Sequence, residues 1–391
     1  MDRFLFIAAA ALLCATACGR EDTYKAGFFT PDTGIESRYD WDAAADSAVN
    51  VLVDRFMDKN TGTFWTISDN VDPGLSTFNY WPQAHAMDVI VDAYLRIKDS
   101  DPERAGQYEK YMASWHKNRA NNYNGPDYYN AYTDDMEWIV LTLLRMYEAT
   151  GVQEYFDFAR DTYDKWIITR WTDDENGGGI RWSLDAGNSK NACSNGPAAI
   201  CAMRLYGFTS EQKYMDDAVK IYGWLSENLY NPSTGMVADN MAGGKVNGGA
   251  LSYNQGTFMG AAHLLYKATK DSRYLAEAMK AARHQMDSRS TDGIMNAEAD
   301  KANSDNALFK GIFIRYATLM VNDTVFDFRF REELKRYISQ NAITCWSDGI
   351  DKSEGSDMFF NYDWRSPYTG ENGYLNPQVS ATTLIEAMTR L

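Results

Sequence analysis

The chain lacks any cluster of lysine or arginine residues, and its formal net charge is −16 over 391 residues. Phosphate binding requires concentrated positive charge, so nucleic acid is not an expected partner. An acidic ligand is disfavoured for the same reason, and a neutral one fits better. Aromatic residues, in contrast, make up 14% of the chain, with 11 Trp and 25 Tyr. This excess predicts flat side-chain platforms for a ligand with C–H faces, such as a sugar.

Cysteine and histidine are scarce. After Cys18 only Cys193, Cys201 and Cys345 remain, and such an odd, sparse set is not a disulfide framework. Cys193 and Cys201 fall two turns apart on one predicted helix, too far along its axis to bridge. The histidines form no cluster with metal-ligand spacing; they are His85, His116, His263 and His284. We therefore expect neither a metal nor a cofactor.

The apolar run at the N-terminus, residues 4–13, is too short to cross a bilayer. It follows a positively charged residue, as in a signal peptide. Small residues then lead to Cys18, which predicts a lipoprotein signal peptide over 1–17 with Cys18 as the lipidated first residue. Plain secretion with a cleavage site nearby is the alternative. Residues 18–36 are predicted to form a polar, lipidated tether, and membrane contact is expected only through this lipid anchor.

Hydrophobic periodicity predicts helices along the whole remaining chain, with short β-like pieces only in loops, for example at 179–183. The predicted helices lie near residues 41–57, 80–98, 102–121, 134–149, 152–169, 191–206, 210–229, 253–269, 272–288, 303–320, 326–341 and 376–390.

These helices come in pairs, with short joints inside a pair and long Gly-, Asn-, Asp- and Trp-rich loops between pairs. Three joints look alike, because a tyrosine near the helix end is followed by a short turn and an early tyrosine in the next helix. These tyrosines are Tyr147 and Tyr155, Tyr206 and Tyr214, and Tyr266 and Tyr274. Helix pairs fit an open α-solenoid or a closed ring. Long loops at one end favour an all-α (α/α)6 toroid of six helical hairpins, in a single domain over 37–391.

Two adjacent aspartates, Asp134 and Asp135, lie at the start of a strongly amphipathic predicted helix, between Tyr132 and Trp138. A helix N-terminus stabilises an anionic carboxylate, and a neighbouring negative charge raises the proton affinity of the second. One ionised and one protonated carboxyl is the division of labour that glycoside hydrolysis needs. The plain alternative is that Asp134 caps the helix and Asp135 complements its dipole.

Five further motifs contain candidate site residues, at 80–88, 173–182, 190–197, 253–257 and 309–313. The triple glycine in the second predicts a tight loop that delivers Trp182 to a site, and the glycine in the last predicts close packing or ligand approach. Each motif has a plain interpretation as a cap, a turn or a packed side chain. Together they favour a site, because most fall at the starts of alternate helices on one rim.

In order along the chain, five motifs resemble those of glycoside hydrolase family 76. They are Tyr-Thr-Asp-Asp-Met-Glu-Trp at 132–138, Gly-Gly-Gly-Ile followed by Trp182, the segment 191–197, Tyr-Asn-Gln-Gly at 253–256 and Phe-Lys-Gly-Ile-Phe at 309–313. The resemblance covers the chain from about Trp41 to its C-terminus. It implies an (α/α)6 fold and a retaining, endo-acting enzyme that cleaves α-1,6-mannosidic linkages of a mannan backbone. Many relatives have Cys before the triple glycine, where this chain has Asn176.

By position, the resemblance implies that Asp134 is the nucleophile and Asp135 the general acid/base. The substrate-binding residues expected from the motifs are Trp81, Tyr132, Trp138, Trp182, Asn195, Tyr253, Gln255 and Lys310. The expected partner is α-mannan or a manno-oligosaccharide, and the protein is expected to be a monomer. Similar Bacteroides-type proteins are often lipoproteins, which implies an outer-membrane location, on the cell surface or the periplasmic face.

Two alternatives remain open from the sequence. A non-catalytic surface glycan-binding lipoprotein would use the aspartate pair only as a helix cap. Another (α/α)6 glycosidase or lyase, acting on uronate-containing glycans, would need basic residues on the rim, where only Arg181 and Lys310 are found.

Overall fold

The structure is a computed structural model and describes residues 39–75, 80–122, 125–353 and 356–391. The predicted signal peptide, Cys18 and the tether lie outside these residues. Within the described part there are twelve helices of ten residues or more: α1 Trp41–Phe56, α2 Tyr80–Ile97, α3 Pro102–Lys117, α4 Thr133–Thr150, α5 Gln153–Thr162, α6 Ala192–Thr209, α7 Gln212–Asn228, α8 Ser252–Thr269, α9 Ser272–Ser288, α10 Phe309–Val321, α11 Phe328–Ser347 and α12 Leu375–Met388. Among the described residues, no helix combines the length and apolarity needed to cross a membrane.

The even-numbered helices form a closed inner ring. Each packs against the next, from α2 through α4, α6, α8 and α10 to α12, and α12 packs against α2 again. The odd-numbered helices lie outside this ring, each against an inner helix. The predicted all-α (α/α)6 toroid is therefore confirmed.

The sixth helix pair, unlike the other five, is not formed by consecutive helices. Five pairs are consecutive in the chain, from α2 and α3 to α10 and α11, whereas the sixth joins the C-terminal α12 to the N-terminal α1. Backbone hydrogen bonds strengthen this closure, since Ser68 N donates to Gly373 O at 3.0 Å and Leu375 N donates to Thr66 O at 3.0 Å. The two ends of the domain therefore depend on each other for burial.

The three look-alike joints form as predicted. Each first helix ends at a residue in the left-handed conformation, Gly151, Ser210 or Lys270, with φ of 74°, 57° and 62°. The N–H of each of these residues donates to the carbonyl of the tyrosine four positions earlier. The early tyrosines of the second helices are buried; they are Tyr155, Tyr214 and Tyr274. These caps leave only two residues between an inner helix and its outer partner.

Some helix boundaries differ from prediction. The helix expected from 303 begins as a 3-10 turn, Asp305–Ala307, because the Ser304 side chain accepts the Asn306 N–H, and α10 starts only at Phe309. The helix expected to end at 341 continues to Ser347. The helix predicted over 152–169 changes after Thr162 into a π turn and a 3-10 turn.

Short antiparallel strands occur only in the loops of the described residues. They are β1 Met57–Asp58, β2 Thr63–Phe64, β3 Lys190–Asn191, β4 Asn240–Ala242, β5 Lys245–Asn247, β6 Ser290–Thr291 and β7 Ile294–Met295. β1 pairs with β2, β6 with β7, and β4 lies between β3 and β5. In the central sheet Lys190 pairs with Met241. This sheet joins the loops before α6 and α8.

Four inner helices carry a side-chain amide at their fourth residue that holds the preceding loop. Gln83 of α2 accepts the Phe64 N–H at 2.8 Å and donates to the Phe64 carbonyl at 2.6 Å. Gln378 of α12 accepts the Phe360 N–H at 3.3 Å. An amide supplies both a donor and an acceptor, so it pairs with extended backbone as a strand would. The same device recurs in α6 and α8.

Glycines set the spacing of the inner ring at the N-terminal ends of its helices. A Cβ on Gly196, Gly256 or Gly311 would lie 2.6, 2.8 and 2.8 Å from the next inner helix, nearer than side chains tolerate. The atoms met are Thr257 Oγ1, Phe313 Cα and Ser380 Cα. The prediction of close packing at Gly311 is thus confirmed, with the neighbouring helix as the approaching group.

At the other end, buried ion pairs fill the centre of the ring. Asp92 of α2 pairs with Arg145 of α4 at 2.6 Å, Arg315 of α10 at 2.9 Å and Arg390 at 2.8 Å. Asp88 pairs with the first two of these arginines. The side chain of Asp92 is 1% exposed, and although burial opposes ionisation, the three guanidinium groups hold its pKa well below its ordinary value. Ion pairs therefore link the inner helices at the end of the ring opposite their N-termini.

We expect Asp92→Asn to lower the free energy of unfolding by about 3–5 kcal/mol, because three arginines lose a shared buried partner. Chemical denaturation at pH 7 measures the loss. Since the folded pKa is depressed, the stabilisation is complete above the unfolded carboxyl's pKa and disappears as the pH falls through the folded value. The control is Asp54→Asn, which breaks the exposed pair with Lys59 and should cost about 0–1 kcal/mol. Equal effects of the two changes would contradict the central role of Asp92.

Candidate active site

A cleft of about 400 Å³ opens at the N-terminal end of the inner ring. Its walls are largely aromatic, from Trp81, Trp138, Trp182, Tyr253 and Phe309. The polar lining comes from Asp134, Ser189, Asn191, Asp239, Asn240, Asp305 and Asn306, with Cys193 and Leu251 completing the surface. The cleft therefore combines flat apolar faces with hydrogen-bonding groups and carries no lysine or arginine in its lining.

The two candidate catalytic carboxyls lie in the first turn of α4. The N-cap is Tyr132, whose side chain makes no capping hydrogen bond, and the helix starts at Thr133. Asp134 and Asp135 are therefore the second and third helical residues, and the interpretation of Asp134 as an N-cap is wrong. Both residues are partly exposed as a whole, and Asp134 lines the cleft.

Asp134 has a pKa of about 7, raised mainly by burial. The Cys193 thiol, the backbone amides of 134 and 135 and the Trp182 indole act against this rise, because each favours the charged carboxylate. Its Oδ1 atom is buried and has no hydrogen-bond partner among the described residues. An ionised Asp134 is thus supported on one side by donors and keeps one oxygen uncommitted.

Burial raises the pKa of Asp135 well above its ordinary value, and the charges of Asp134 and Asp305 add to the effect. Asp305 accepts a hydrogen bond from Trp81 Nε1 at 3.3 Å. Donors of the kind that support Asp134 do not contribute to the pKa of Asp135. Of the two neighbours, Asp135 therefore has the surroundings less favourable to a negative charge.

The aromatic residues predicted to face a ligand come together at the cleft. The rings of Tyr132 and Trp182 meet at 5.0 Å between centroids, with Tyr132 39% exposed at the rim. Tyr253 stacks on Phe309 at 3.9 Å with an angle of 9°. Trp81 meets Phe309 at 6.1 Å. These contacts fix the rings before any ligand arrives.

His85 lies directly behind this wall. Its ring is 4.7 Å from that of Trp138 and 5.4 Å from that of Trp81. Burial lowers the pKa of His85 to about 3, so the imidazole is neutral at ordinary pH. It supports the two tryptophans and adds no positive charge to the cleft.

The loop that carries Trp182 is tied to the start of α4. Thr133 N donates to the Trp182 carbonyl at 2.8 Å, and Thr133 Oγ1 donates to the Arg181 carbonyl at 2.5 Å. Tyr132 and Ser183 form a β-bridge beside these bonds. Helix α4 and the tryptophan loop are therefore held together by these bonds.

A buried ammonium group organises the rest of this loop. Lys190, which is 0% exposed, donates to the carbonyl and hydroxyl of Thr172 at 2.7 Å each and to the Gly179 carbonyl at 2.9 Å. It also donates to the Gly178 carbonyl at 3.3 Å and pairs with Asp174 at 3.2 Å. The triple-glycine loop thus wraps around one cation, with its carbonyls turned inward.

Three predicted substrate-binding residues, Asn195, Gln255 and Lys310, do not line the cleft. Asn195 accepts the Ile180 N–H at 2.8 Å and donates to its carbonyl at 3.1 Å, as the fourth residue of α6. Its amide groups are therefore committed to holding the loop in place.

Gln255 and Lys310 are committed in the same way. Gln255, the fourth residue of α8, accepts the Val237 N–H at 2.6 Å. Lys310 is 1% exposed; it donates to the Tyr362 carbonyl at 2.8 Å and lies 3.9 Å from the centre of the Trp364 ring. Asn195 and Gln255 therefore position loops that line the cleft, and Lys310 holds the loop before α12.

The structure adds polar residues that the sequence reasoning did not select. Asn191 and Cys193 belong to the quoted motif at 190–197. Asn191 is the N-cap of α6 and Cys193 its second residue, so helix periodicity does not place them on the same side. Asp239 and Asp305 come from long loops, where no periodicity indicates direction. Their proximity to Asp134 depends on pairing of β3 with β4 and on the turn before α10, both of which are tertiary features.

One buried carboxyl lies below the aspartate pair. Glu137 of α4 is 0% exposed, and both of its carboxyl oxygens lack hydrogen-bond partners among the described residues. Burial and the charges of Asp134 and Asp135 raise its pKa well above the ordinary value, and Arg170 opposes this only in part. The surroundings of Glu137 therefore favour its protonated form.

Comparison with known proteins identifies the relationship. A model of the family described as "Glycosyl hydrolase family 76" matches residues 40–390. The chain belongs to glycosyl hydrolase family 76. A mannan endo-1,6-alpha-mannosidase, DCW1 of Saccharomyces cerevisiae, is 29% identical over 52% of this chain and 48% of its own length. The chain thus spans about half the length of the curated relatives that it matches.

Among solved structures, one of similar fold is an inactive variant of the alpha-1,6-mannanase GH76A of Salegentibacter sp. HEL1_6 in complex with alpha-1,6-mannotriose. It is 31% identical, with a TM-score of 0.79, over 90% of this chain and 99% of the other. Two consecutive aspartates are replaced by asparagine in that variant. The family 76 mannosidase Bt3792 of Bacteroides thetaiotaomicron, at 21% identity, shares the fold with a TM-score of 0.76 over 90% of this chain and 99% of its own.

In this family 76 chain, Asn176 before the triple glycine holds the loop through hydrogen bonds. Its side chain donates to the Asn188 carbonyl at 2.8 Å and accepts the Gly244 N–H at 2.8 Å. Its carbonyl accepts the Trp224 indole N–H at 3.1 Å. Hydrogen bonds alone therefore close the loop at this position.

We expect Lys190→Met to lower both Tm and kcat/KM, because five inward-facing acceptors lose their donor and Trp182 lies on the loop that they hold. Thermal unfolding and steady-state kinetics on an α-1,6-mannan measure the two effects. Lys245→Met, on the exposed strand β5 of the adjoining sheet, is the control and should change neither. Unaltered kinetics in Lys190→Met would show that the loop holds Trp182 without this cation.

A second prediction concerns Glu137→Gln. A carboxyl with a raised folded pKa destabilises the fold increasingly as the pH rises above its unfolded pKa, because unfolding then releases a proton. The variant should therefore gain Tm relative to the unchanged protein between pH 5 and pH 8. The control Glu148→Gln alters an exposed carboxyl on the same helix. A Tm difference for Glu137→Gln that is constant with pH would mean that Glu137 ionises equally in both states.

Proposed function

We propose that the protein is a retaining glycoside hydrolase that cleaves internal α-1,6-mannosidic bonds of a mannan backbone. The observation that carries this proposal is a pair of adjacent carboxyls in the first turn of α4, on the rim of a closed helical ring: Asp134 lines a tryptophan-lined cleft, and Asp135 is its neighbour. The names of the relatives, and the paired aspartate changes in the inactive Salegentibacter variant, support the same substrate and residue pair.

The mechanism has two steps. In the first, the Asp134 carboxylate attacks C1 of a mannosyl unit, the C1–O6 bond breaks, and Asp135 donates its proton to the departing O6. A mannosyl ester on Asp134 results. In the second, Asp135, now ionised, removes a proton from water, which attacks C1 and releases Asp134. Two inversions at C1 leave the product in the α configuration.

The electrostatics of the pair suit this order. Asp134 has to be ionised and Asp135 protonated, and Asp134 has the more favourable surroundings for charge, because the Cys193 thiol, the Trp182 indole and two backbone amides support its carboxylate. Activity should therefore rise with pH as Asp134 ionises and fall when Asp135 loses its proton. Because the two carboxyls are neighbours, these limits belong to the pair.

The cleft lining supports a neutral sugar. Trp81, Trp138 and Trp182 offer ring faces to C–H surfaces, and Asn191 and Asn306 offer amides to hydroxyl groups. Uronates are disfavoured, because the lining contains three aspartates and no basic side chain. This feature separates the mannanase proposal from the lyase alternative.

The location is part of the same proposal. We propose that the protein is a monomeric outer-membrane lipoprotein attached through Cys18, with residues 18–36 as its tether, on the cell surface or the periplasmic face. Metabolic labelling with a palmitate analogue should label the protein and should not label Cys18→Ser.

The decisive test of activity is product analysis on linear α-1,6-mannan. We expect short manno-oligosaccharides of α configuration, as seen by NMR before mutarotation, and a loss of about 10²–10⁴ in kcat for Asp135→Asn. Asp134→Asn should abolish turnover and keep mannan binding. The control Asp185→Asn alters an exposed aspartate of the tryptophan loop and should behave as the unchanged protein.

An aryl α-mannoside with a good leaving group separates the two roles. Its departure needs no proton, so Asp135→Asn should release a burst of phenolate as the mannosyl ester accumulates, while Asp134→Asn should release none. Mannose as the sole product from mannan would overturn endo action. Mannan binding without any products from the unchanged protein would instead favour a non-catalytic glycan-binding protein.

A further inference from the structure

A second cavity, of about 460 Å³, lies outside the inner ring. It is bounded by the start of the triple-glycine loop, by one face of α7 and by the first turn of α9. Trp171, Gly178, Val219, Gly223 and Trp224 form part of its lining. We propose that this outer groove is a second, non-catalytic binding site for the neutral polysaccharide that the cleft cleaves; the identity of that sugar rests on the proposed function.

The apolar surface of the outer groove suits a sugar face. Trp171 is half-buried, and the neighbouring Val219 is 40% exposed. The Nζ atom of Lys220 lies 4.0 Å from the centre of the Trp171 ring. Because Lys220 is exposed at the end of a flexible side chain, it can leave the ring at small cost when a ligand packs there.

The charged groups around the outer groove balance. Asp173 and Glu227 supply two negative charges, and Lys220 and Arg273 supply two positive ones. A charged ligand gains little from such a set, whereas the hydroxyl groups of a neutral sugar find both acceptors and donors. The charge pattern therefore favours a neutral polyhydroxylated ligand.

The triple glycine is required by this arrangement. A Cβ on Gly178 would lie 2.2 Å from the Trp171 indole, and one on Gly179 would lie 2.8 Å from that of Trp224. Gly179 also has φ of +101°, which L side chains rarely adopt. The motif therefore seats the two tryptophans of the outer groove, and the cleft residue Trp182 follows three positions after Gly179.

One loop connects the outer groove with the cleft. Trp171 forms a β-bridge with Ile180, and Trp182 comes two residues later. A β-bridge spans roughly 5 Å and each strand residue about 3.4 Å, so the backbones of Trp171 and Trp182 are about 10 Å apart. A polysaccharide that passes over the rim at Trp182 can therefore continue to the outer groove, whereas a trisaccharide whose units all lie in the cleft leaves none for the groove.

Gly223 of α7 allows a test that spares the fold. A Cβ at this position meets nothing within 4 Å, and a helix-forming residue should stabilise an exposed helix interior relative to glycine. Gly223→Leu should thus fill the outer groove without disturbing its walls. Gly106→Leu, at an equally open position of α3, is the matched control.

The experiment compares long and short substrates. With Gly223→Leu we expect KM for α-1,6-mannan to rise at least about fivefold through loss of avidity, with kcat unchanged and kcat/KM for α-1,6-mannotriose unchanged. Trp171→Ala should act in the same direction, and Trp346→Ala, which removes another lysine-covered tryptophan, should not. Equal KM for the polymer in Gly223→Leu and Gly106→Leu would overturn the proposal, as would a parallel loss on both substrates.

Binding keeps the test independent of catalysis. In the Asp134→Asn background, retardation of the protein in native gels that contain α-1,6-mannan should weaken when Gly223→Leu is added. If the unchanged protein cleaved no mannan but this retardation still weakened, the proposed function would fail and the second site would stand. Retardation that Gly223→Leu leaves unchanged would overturn the proposed second site, whether or not the protein cleaves mannan.

Discussion

The closed ring of six inner helices is the constraint on which the other features depend. At one end the ring is drawn together by glycines, among them Gly256 and Gly311, which let neighbouring helices touch without intervening side chains. At the other end Asp92 binds arginines from α4, α10 and the segment after α12. Because α12 pairs with α1, the ring is closed by both ends of the domain. The width of the cleft is therefore a property of the whole ring, although the candidate catalytic pair belongs to a single helix.

The aspartates at the two ends of the ring have opposite electrostatic surroundings. Asp88 and Asp92 are buried among guanidinium groups, and the pKa of Asp92 is depressed. Asp134 and Asp135 are enclosed without a cation, and the pKa of each is raised. The first arrangement favours permanent charge and stability, whereas the second keeps a proton available near neutral pH. The absence of basic residues from the cleft lining is therefore as important to the chemistry as the presence of the acids.

Much of the fold followed from local pattern, because helix periodicity and the repeated tyrosine joints depend on neighbours in the chain. The candidate carboxyls were also predictable, since their proximity is set by one helix start. Asn195 and Gln255 show the limit of such reasoning. Each was selected from a polar motif at an inner helix start, yet each is the fourth residue of its helix and holds the backbone of the preceding loop. Gln83 and Gln378 do the same, so the motif reflects the architecture of the ring. Asp239 and Asp305 enter the cleft from loops whose direction no local pattern specifies.

The loops explain how specificity can change while the reaction stays the same. Asp134 and Asp135 are fixed relative to each other by α4, but the groups around them come from separate loops, each held by its own polar anchor. Lys190 anchors the triple-glycine loop through inward-facing carbonyls, and Gln255 anchors the loop before α8. A loop held by one buried side chain can vary at its surface without moving the helix that follows. Trp171 and Trp182 lie on such a loop, on either side of its glycines, one at the outer groove and the other in the cleft. Under the proposed function, the same short segment thus determines which sugar faces reach the carboxyls and how a longer polysaccharide is held outside the cleft.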